Sequence, residues 1–232
     1  MPHISFLGIG LMGAPMVARL LDAGLSLTLW NRTPDKAQRF ADRALIAASP
    51  AQAVAGADVV ITMLEDGAVV DQVLYQSGAI AGLRPETLVI DMSSIEPATA
   101  RRHGAQVTQQ GGGYLDAPVS GGTRGAEAGA LSIMAGGSEV DFHRAAPVFQ
   151  ALGKATHIGP VGSGQLAKLA NQAIVGITIG AVSEALLLAA KGGARPDKVR
   201  EALLGGFAGS KILEQHGEHI LFPRMPFGAK YR

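Results

Sequence analysis

The sequence predicts an α/β domain built on a doubly wound parallel sheet, followed by an all-helical domain. Short apolar runs alternate with amphipathic segments through about residue 160. A glycine-rich connection, "HIGPVGSG", follows at residues 157–164, and only helical patterns come after it. Strands that alternate with helices at this spacing form parallel sheets through right-handed crossovers. The predicted domains are therefore residues 1–161 and residues 162–232.

Each short apolar run predicts a strand and each amphipathic segment predicts a helix. The predicted strands are His3–Leu7, Ser26–Trp30, Leu45–Ala47, Val59–Met63, Leu88–Asp91, Tyr114–Asp116, Leu131–Ala135 and a short strand near Thr156. The predicted helices of the first domain are Met12–Ala23, Pro34–Ala41, Pro50–Ala55, Ala68–Tyr75, Pro97–Gln109 and Glu139–Ala151. Those of the second domain are about Gln165–Lys191, Asp197–Leu204 and about Ser210–His219.

Composition narrows the class of protein. Of the 232 residues, 47% are hydrophobic and 17% charged, which is typical of globular proteins and not of disordered ones. The net charge is +1, with both signs mixed along the chain, so no basic stripe for nucleic acid is expected. The absence of cysteine excludes disulfides and thiolate metal sites and is typical of the cytoplasm, the predicted location. His216 and His219 have no evident third ligand, so no metal is expected.

One stretch, "AIVGITIGAVSEALLLAA" from Ala173 to Ala190, has the length and apolar composition of a membrane span. It contains Ser183 and Glu184 and lacks flanking aromatic residues, and membrane helices rarely carry an unpaired Glu. The expectation is a buried core helix and no membrane partner.

The most informative motif is "FLGIGLMGAPM", Phe6 to Met16, where Gly8, Gly10 and Gly13 lie between a strand and a helix. In this context the first glycine permits a tight turn and the second lets the backbone approach a pyrophosphate. The third lets the helix pack close to the strand. The free N–H groups of the helix N-terminus favour an anion. The loop, including Ile9, Leu11 and Met12, is predicted to bind a dinucleotide cofactor.

The end of the second strand predicts which dinucleotide. NAD-binding folds of this type usually place an acid there, which hydrogen-bonds the ribose 2′-OH. Here "LWNRTPDK" has Asn31 and then Arg32. Arg32 can stack on adenine and pair with a 2′-phosphate, and Thr33 and Lys36 offer further donors. The prediction is NADP, with NAD possible.

Three further loops follow predicted strand ends, where open α/β sheets bind ligands. They are "TMLEDG" from Thr62, "DMSSIEP" from Asp91 and "DAPVSGG" from Asp116. In the last one Ser120 offers a hydroxyl, and Gly121 and Gly122 expose backbone N–H groups that could hold a carboxylate. From the residues alone, this loop is as well explained by structure as by function, and structural roles are the simpler explanation of the aspartates.

Four motifs together, "FLGIGLMGAPM", "DMSSI", "DAPVSGG" and "GSGQLAKLANQ" (residues 162–172), resemble the β-hydroxyacid dehydrogenase family in order and position. The family includes 3-hydroxyisobutyrate dehydrogenases and 2-hydroxy-3-oxopropionate (tartronate semialdehyde) reductases. The stretches "KLANQ", "SEALLLA" and "GGFAGSKILEQHGE" look most like the second group. The resemblance implies a Rossmann-type domain, a helical domain and a site in the cleft between them.

The resemblance also assigns roles. Lys168 matches the catalytic lysine, and an ammonium beside the substrate oxygen would stabilise its charge and deliver a proton. Ser120, Gly121 and Gly122 would hold the substrate carboxylate. Asn171 or Gln172 would contact the substrate or orient the lysine. Met63, Leu64 and Ser94 would contact the cofactor.

The resemblance implies reduction of a small carboxylated aldehyde by NADPH. The alternative is a dehydrogenase that acts on 3-hydroxyisobutyrate or on another β-hydroxyacid or semialdehyde, such as succinic or glyoxylic semialdehyde. Imine reductases share the fold but lack the lysine. Relatives continue past "HGE" with a Pro-Gly turn, a "KDL" motif and more helices, whereas this chain continues as "HILFPRMPFGAKYR". We therefore expect a truncated helical domain. A non-catalytic cofactor-binding protein is the alternative from another class. The apolar helical domain predicts a homo-oligomer, a dimer or tetramer.

Overall fold

A computed structural model describes residues 2–221 of the chain. The chain divides into two compact units, Met1–Lys168 and Leu169–Arg232. Most of the stretch "HILFPRMPFGAKYR", where the sequence is predicted to differ from relatives, lies outside the described residues, which end at residue 221.

Strands and helices alternate through the first unit. The strands are β1 His3–Leu7, β2 Ser26–Trp30, β3 Leu45–Ile46, β4 Val59–Thr62, β5 Leu88–Asp91, β6 Gly113–Asp116, β7 Val119–Ser120, β8 Leu131–Gly136 and β9 Gly153–Gly159. The helices are α1 Gly13–Asp22, α2 Pro34–Gln38, α3 Pro50–Val54, α4 Gly67–Val70, a π helix Asp71–Gln76, a 3-10 helix Ala79–Gly82, α5 Pro97–Gln109, α6 Gly122–Glu127, α7 Glu139–Arg144 and α8 Ala146–Leu152. The predicted strand–helix alternation is confirmed.

The strands form one sheet in the order β3-β2-β1-β4-β5-β6-β8-β7, with β9 also paired to β8. The pairs from β3 to β6 are all parallel, as predicted. At one edge the sheet also contains antiparallel pairs, because β8 runs antiparallel to β6 and β7. The segment that causes this, β7 and α6, was not predicted, because a two-residue strand is too short to show alternation.

Both faces of the sheet are covered, so its central strands are apolar on both sides. On β1, Ile4 and Phe6 belong to one buried cluster, whereas Leu7 belongs to a second cluster on the other face. This alternation follows from the two-residue period of a strand. The continuous apolar runs that predicted these strands are therefore the signature of a buried parallel sheet.

A predicted helix, Ala68–Tyr75, is in fact two helices of different type. Asp66 begins α4 by accepting a hydrogen bond from the backbone N–H of Val69 at 2.9 Å. After Val70 the chain widens into the π helix, a rare form that is frequent at functional sites. Hydrophobic periodicity does not distinguish the two forms over so few residues.

Three helices follow the sheet: α9 Ser163–Lys191, α10 Pro196–Leu204 and α11 Lys211–Leu221. The first turns of α9 belong to the first unit. In the second unit, α10 and α11 are joined by Arg200, whose Nε donates to the carbonyl of Leu213 at 3.1 Å. Val182, Leu186 and Leu213 form a small buried cluster there.

The prediction that α9 is a buried core helix is wrong for the chain as described. Only 11% of its most apolar stretch is buried, and side chains such as Ile177 and Leu188 are 74% exposed. The physical reason is that the second unit's described helices cover only a narrow stripe around Val182 and Leu186. By length and composition α9 could cross a membrane, a property that core helices of soluble proteins share.

Candidate functional site

The glycine loop between β1 and α1 has the shape that its sequence predicts. Gly8 has a φ of +105°, and its N–H donates to the carbonyl of Trp30 at 3.0 Å. A Cβ on Gly8 would collide with the carbonyl oxygen of Met63, and a Cβ on Gly13 would collide with that of Gly8. A Cβ on Gly10 would meet nothing within 4 Å. The first and third glycines are therefore required by packing, whereas the second borders open space.

Asn31 joins this loop to the end of β2. Its Oδ1 accepts from the backbone N–H of Ile9 at 2.8 Å, and its Nδ2 donates to the carbonyl of Thr33 at 2.9 Å. A carboxylate could replace the first bond but not the second, because it has no N–H to donate. The amide thus fixes both the glycine loop and the turn that carries Arg32.

A pocket of about 370 Å³ opens beside the glycine loop, at the carboxyl ends of β1, β2 and β4. The predicted cofactor residues that line it are Gly8, Gly10, Asn31, Arg32, Thr33, Lys36, Met63 and Leu64. It is also lined by residues that are not among the predicted cofactor contacts: Trp30, Pro50, Glu65, Val69, Gln72, Val73 and Ser77. Gln72 and Val73 come from the π helix. The long linear separation of this helix from the glycine loop explains why no motif identified it.

The other predicted cofactor residues do not line this pocket. Ile9 is buried in the core, Met12 packs against that core, and Gly13 begins α1. Leu11 is 75% exposed at the tip of the loop. Ser94 is exposed in the segment after β5.

The pocket carries positive charge at one side. Arg32 and Lys36 are exposed, and neither is paired with an acid among residues 2–221. Glu65 supplies a single negative charge to the lining. Free cations beside an open loop of backbone N–H groups suit a phosphorylated ligand. A dinucleotide therefore fits the residues present.

A second group of predicted site residues lies where β7 meets α9. The ammonium of Lys168 donates to the carbonyl of Val119 at 2.8 Å, directly before Ser120. Gly121 and Gly122 follow with φ values of +135° and +63°. The chain thus turns sharply past the lysine, a turn that glycine favours because other residues strain at positive φ.

Lys168 is half-buried, and desolvation lowers the pKa of its ammonium. Val119 engages one of the three N–H donors of the ammonium and leaves the remainder for other partners. A lysine whose pKa is lowered transfers a proton more readily near neutral pH.

Asp91 and Asp116, at the ends of adjacent strands, are fully buried. Asp91 accepts from Thr62 Oγ1 at 2.8 Å and from the N–H of Ser93 at 3.0 Å. Burial raises the pKa of Asp91, and these hydrogen bonds oppose that rise. Ser93 Oγ in turn accepts from the N–H of Leu64 at 3.0 Å. The carboxylate thus braces two loops beside the pocket, the structural role that was the simpler explanation.

Asn171 and Gln172 lie on α9 in the second unit. The Asn171 amide donates to Gln172 Oε1 at 3.0 Å. His216 and His219 contact each other edge to face, with ring centroids 6.2 Å apart. In the described part of the chain no group of three His, Asp or Glu side chains could hold a metal ion.

The fold and the pocket define a dinucleotide-binding protein. Residues 3–162 match the NAD binding domain of 6-phosphogluconate dehydrogenase. Residues 162–229 match the family described as NAD-binding of NADP-dependent 3-hydroxyisobutyrate dehydrogenase. The cofactor is therefore a nicotinamide dinucleotide.

Individual relatives give the same answer. The chain is 46% identical over 221 residues to a 2-hydroxy-3-oxopropionate reductase of Escherichia coli (strain K12), covering 94% of this chain and 75% of the relative. It is 38% identical to an NAD-dependent L-serine dehydrogenase of Pseudomonas aeruginosa, covering 92% of this chain and 73% of that protein. The chain is also similar to the structure of Mycobacterium tuberculosis 3-hydroxyisobutyrate dehydrogenase with L-serine, with a TM-score of 0.85 and 39% sequence identity. The match covers 93% of this chain and 74% of that one.

This chain belongs to the β-hydroxyacid dehydrogenase family of NAD(P)-dependent oxidoreductases. It spans about three quarters of the length of the relatives named here.

Proposed function

We propose that this chain is an NADPH-dependent reductase of a small carboxylated aldehyde, with 2-hydroxy-3-oxopropionate as substrate and glycerate as product. The hydrogen bond from Lys168 to Val119 is the observation that carries the proposal, because it holds an ammonium beside Ser120 and the glycine turn. The 46% identity to a 2-hydroxy-3-oxopropionate reductase supports this substrate.

When bound, a nicotinamide dinucleotide would supply the hydride that the aldehyde carbon takes up. Lys168 donates a proton to the aldehyde oxygen as negative charge develops there, giving the alcohol. Ser120 Oγ and the N–H groups of Gly121 and Gly122 hold the substrate carboxylate. Asn171 or Gln172 contacts the substrate or orients the lysine.

For the cofactor, we propose that the glycine loop Gly8–Gly13 binds the pyrophosphate and that Met63 and Leu64 lie beside the adenosine. Arg32, Thr33 and Lys36 bind the 2′-phosphate, so that NADP is preferred to NAD, and Ser94 lies near the nicotinamide. We further propose that residues 1–161 form the cofactor domain and that residues 162–232 serve substrate binding and self-association in the cytoplasm.

The test is NADPH oxidation, followed spectrophotometrically, with 2-hydroxy-3-oxopropionate as substrate. Lys168→Ala should reduce kcat/KM by about 100- to 10,000-fold, the usual contribution of a general acid. Lys191→Ala removes an exposed lysine from the same helix and is the matched control. An unimpaired Lys168→Ala variant would refute the role of the lysine.

The second candidate is oxidation of a β-hydroxyacid, favoured by the NAD-dependent L-serine dehydrogenase among the relatives and by the 3-hydroxyisobutyrate dehydrogenase structure with L-serine. Assays of NADP reduction with L-serine and with 3-hydroxyisobutyrate compare it directly with the first. Turnover of either acid that exceeds turnover of the aldehyde would displace the proposed substrate. NADPH binding without any turnover would instead make the chain a non-catalytic cofactor-binding protein.

A further inference from the structure

The first turn of α9 is anchored by a carboxylate from a distant strand. Asp116 is fully buried at the end of β6. Its two carboxylate oxygens accept from the backbone N–H groups of Gly162, at 2.6 Å, and Gln165, at 2.8 Å. N–H groups at the start of a helix have no partner within the helix, so each needs an acceptor from elsewhere. Asp116 supplies both acceptors.

A second anchor comes from the side chain of Gln165, which is 1% exposed. Its Nε2 donates to the carbonyl of Ser93 at 2.9 Å, and its Oε1 accepts from the N–H of Ile95 at 3.1 Å. Both polar ends of the amide are therefore used, and both contact the segment after β5. The start of α9 is thus held by two neighbouring strand ends.

Close packing leaves this turn no room to shift. A Cβ on Gly164 would collide with the carbonyl oxygens of Asp116 and Met134. A Cβ on Gly136 would lie 2.7 Å from the N–H nitrogen of Gly164. The helix backbone therefore lies directly against β6 and β8. Lys168 follows Gln165 by three residues, within one helical turn. The two anchors therefore fix where Lys168 lies along the axis of α9 and in which direction around that axis its side chain leaves the helix.

We propose that Asp116 and Gln165 are positioning residues for Lys168, acting through the first turn of α9 and contacting neither substrate nor cofactor. This inference rests on the proposed role of Lys168. Both residues should affect the rate of the chemical step, because displacement of α9 moves the ammonium of Lys168 away from Val119 and the substrate oxygen. Misplacement of a catalytic group by about 1 Å can cost about 100-fold in rate.

The anchor also gives the reaction a pH dependence. Burial raises the pKa of Asp116 to about 6, although the N–H groups of Gly162 and Gln165 oppose the rise. A protonated carboxyl has one good acceptor oxygen left for two N–H donors, so the anchor weakens below that pH. The titratable and charged groups that face it are Asp91 on β5, Tyr114 on β6 and Arg101 beside the Gly162 turn.

The experiment compares Asp116→Asn and Gln165→Met with wild type, using Asp42→Asn as the control. Asp42 is an exposed aspartate outside the pocket lining, so its change is chemically matched. kcat and KM are measured between about pH 5 and pH 9, and the Kd for NADPH is measured by fluorescence.

Asp116→Asn should lower kcat at alkaline pH by about 10- to 100-fold, change the NADPH Kd by less than about twofold, and abolish the acidic limb of the kcat profile. Gln165→Met should lower kcat similarly and keep the acidic limb, because Asp116 is still present. A wild-type kcat in either folded variant, or an unchanged acidic limb in Asp116→Asn, overturns the inference. If Asp116→Asn fails to fold, Gln165→Met decides by its kcat.

Turnover by the wild-type chain distinguishes failure of the proposed function from failure of this inference. If the wild type has no turnover, the reductase proposal fails on its own. The positioning is then measured by the rate at which Lys168 is acylated by an amine-reactive reagent. Both variants should change that rate at least about threefold by releasing the ammonium from Val119, since about half a unit in the pKa of the lysine changes its free-amine fraction by that factor. An unchanged rate overturns the inference.

Discussion

Replacing Arg32 by alanine is expected to weaken NADPH binding more than NADH binding. Arg32 and Lys36 line the same side of the pocket, and neither has an acidic partner among residues 2–221. A phosphate that binds there would not have to displace an existing ion pair. NADH lacks the 2′-phosphate, so it has nothing for these cations to pair with.

The magnitude follows from the exposure of Arg32. A hydrogen bond between charged groups contributes about 1.5–3 kcal/mol when solvent is excluded, and an exposed ion pair contributes less than about 1 kcal/mol. Arg32 is exposed but would be partly covered by the adenosine, so about 1–2 kcal/mol is reasonable. That corresponds to a rise in the NADPH Kd of about 5- to 30-fold, since about 1.4 kcal/mol is a factor of ten.

The assay is fluorescence titration of NADPH and NADH at two salt concentrations, because exposed electrostatic contacts weaken with ionic strength. Arg39→Ala is the control, since Arg39 is an exposed arginine nearby that does not line the pocket. Equal losses of NADPH and NADH affinity in Arg32→Ala would refute the reasoning, as would a loss of the same size in Arg39→Ala.

Three other predictions follow from the packing and the charges. Gly13→Ala should lower the thermal melting temperature, because a Cβ at position 13 collides with the backbone of Gly8. Gly10→Ala should leave the melting temperature unchanged and weaken NADPH binding, because a Cβ at position 10 meets no protein atom and borders the pocket. Burial raises the pKa of Asp71, but hydrogen bonds from His103 and the neighbouring arginine outweigh it and hold that pKa below its usual value. Asp71→Asn should therefore lower the free energy of unfolding in urea by about 1–3 kcal/mol at neutral pH. That difference should shrink as the pH falls through the lowered pKa, because the carboxylate contributes stability only while ionised. Ile177→Asn should reduce self-association in sedimentation equilibrium, since it places an amide on the exposed apolar face of α9.

Each of these has a result that contradicts it. A melting temperature that falls equally in both glycine variants would show that Gly10 is also held by packing. A difference for Asp71→Asn that grows in acid would mean that the pKa of the carboxyl is raised, not lowered. A wild-type chain that is monomeric at all concentrations, without detergent or lipid, would remove the argument for association through α9.

The sequence by itself predicts the parts of this protein that depend on short-range order. Apolar runs indicate β1, β2 and β5 with the bounds found in the structure, because burial on both faces makes most positions apolar. The glycine loop and Asn31 are recognisable because their chemistry depends on neighbours within a few residues. In the structure Gly8 has a positive φ, as a tight turn requires, and the N–H of Ile9 donates to Asn31 directly after β2.

Only the tertiary structure decides the features that join distant parts of the chain. The π helix that completes the pocket lies some 60 residues beyond the glycine loop in the printed sequence. Asp116 reaches residues 46 and 49 positions further along. No local pattern encodes such contacts, because a buried carboxylate selects whichever unpaired N–H groups the fold brings to it. The exposure of α9 has the same origin: its composition shows that it is apolar, but only packing determines which surfaces cover it.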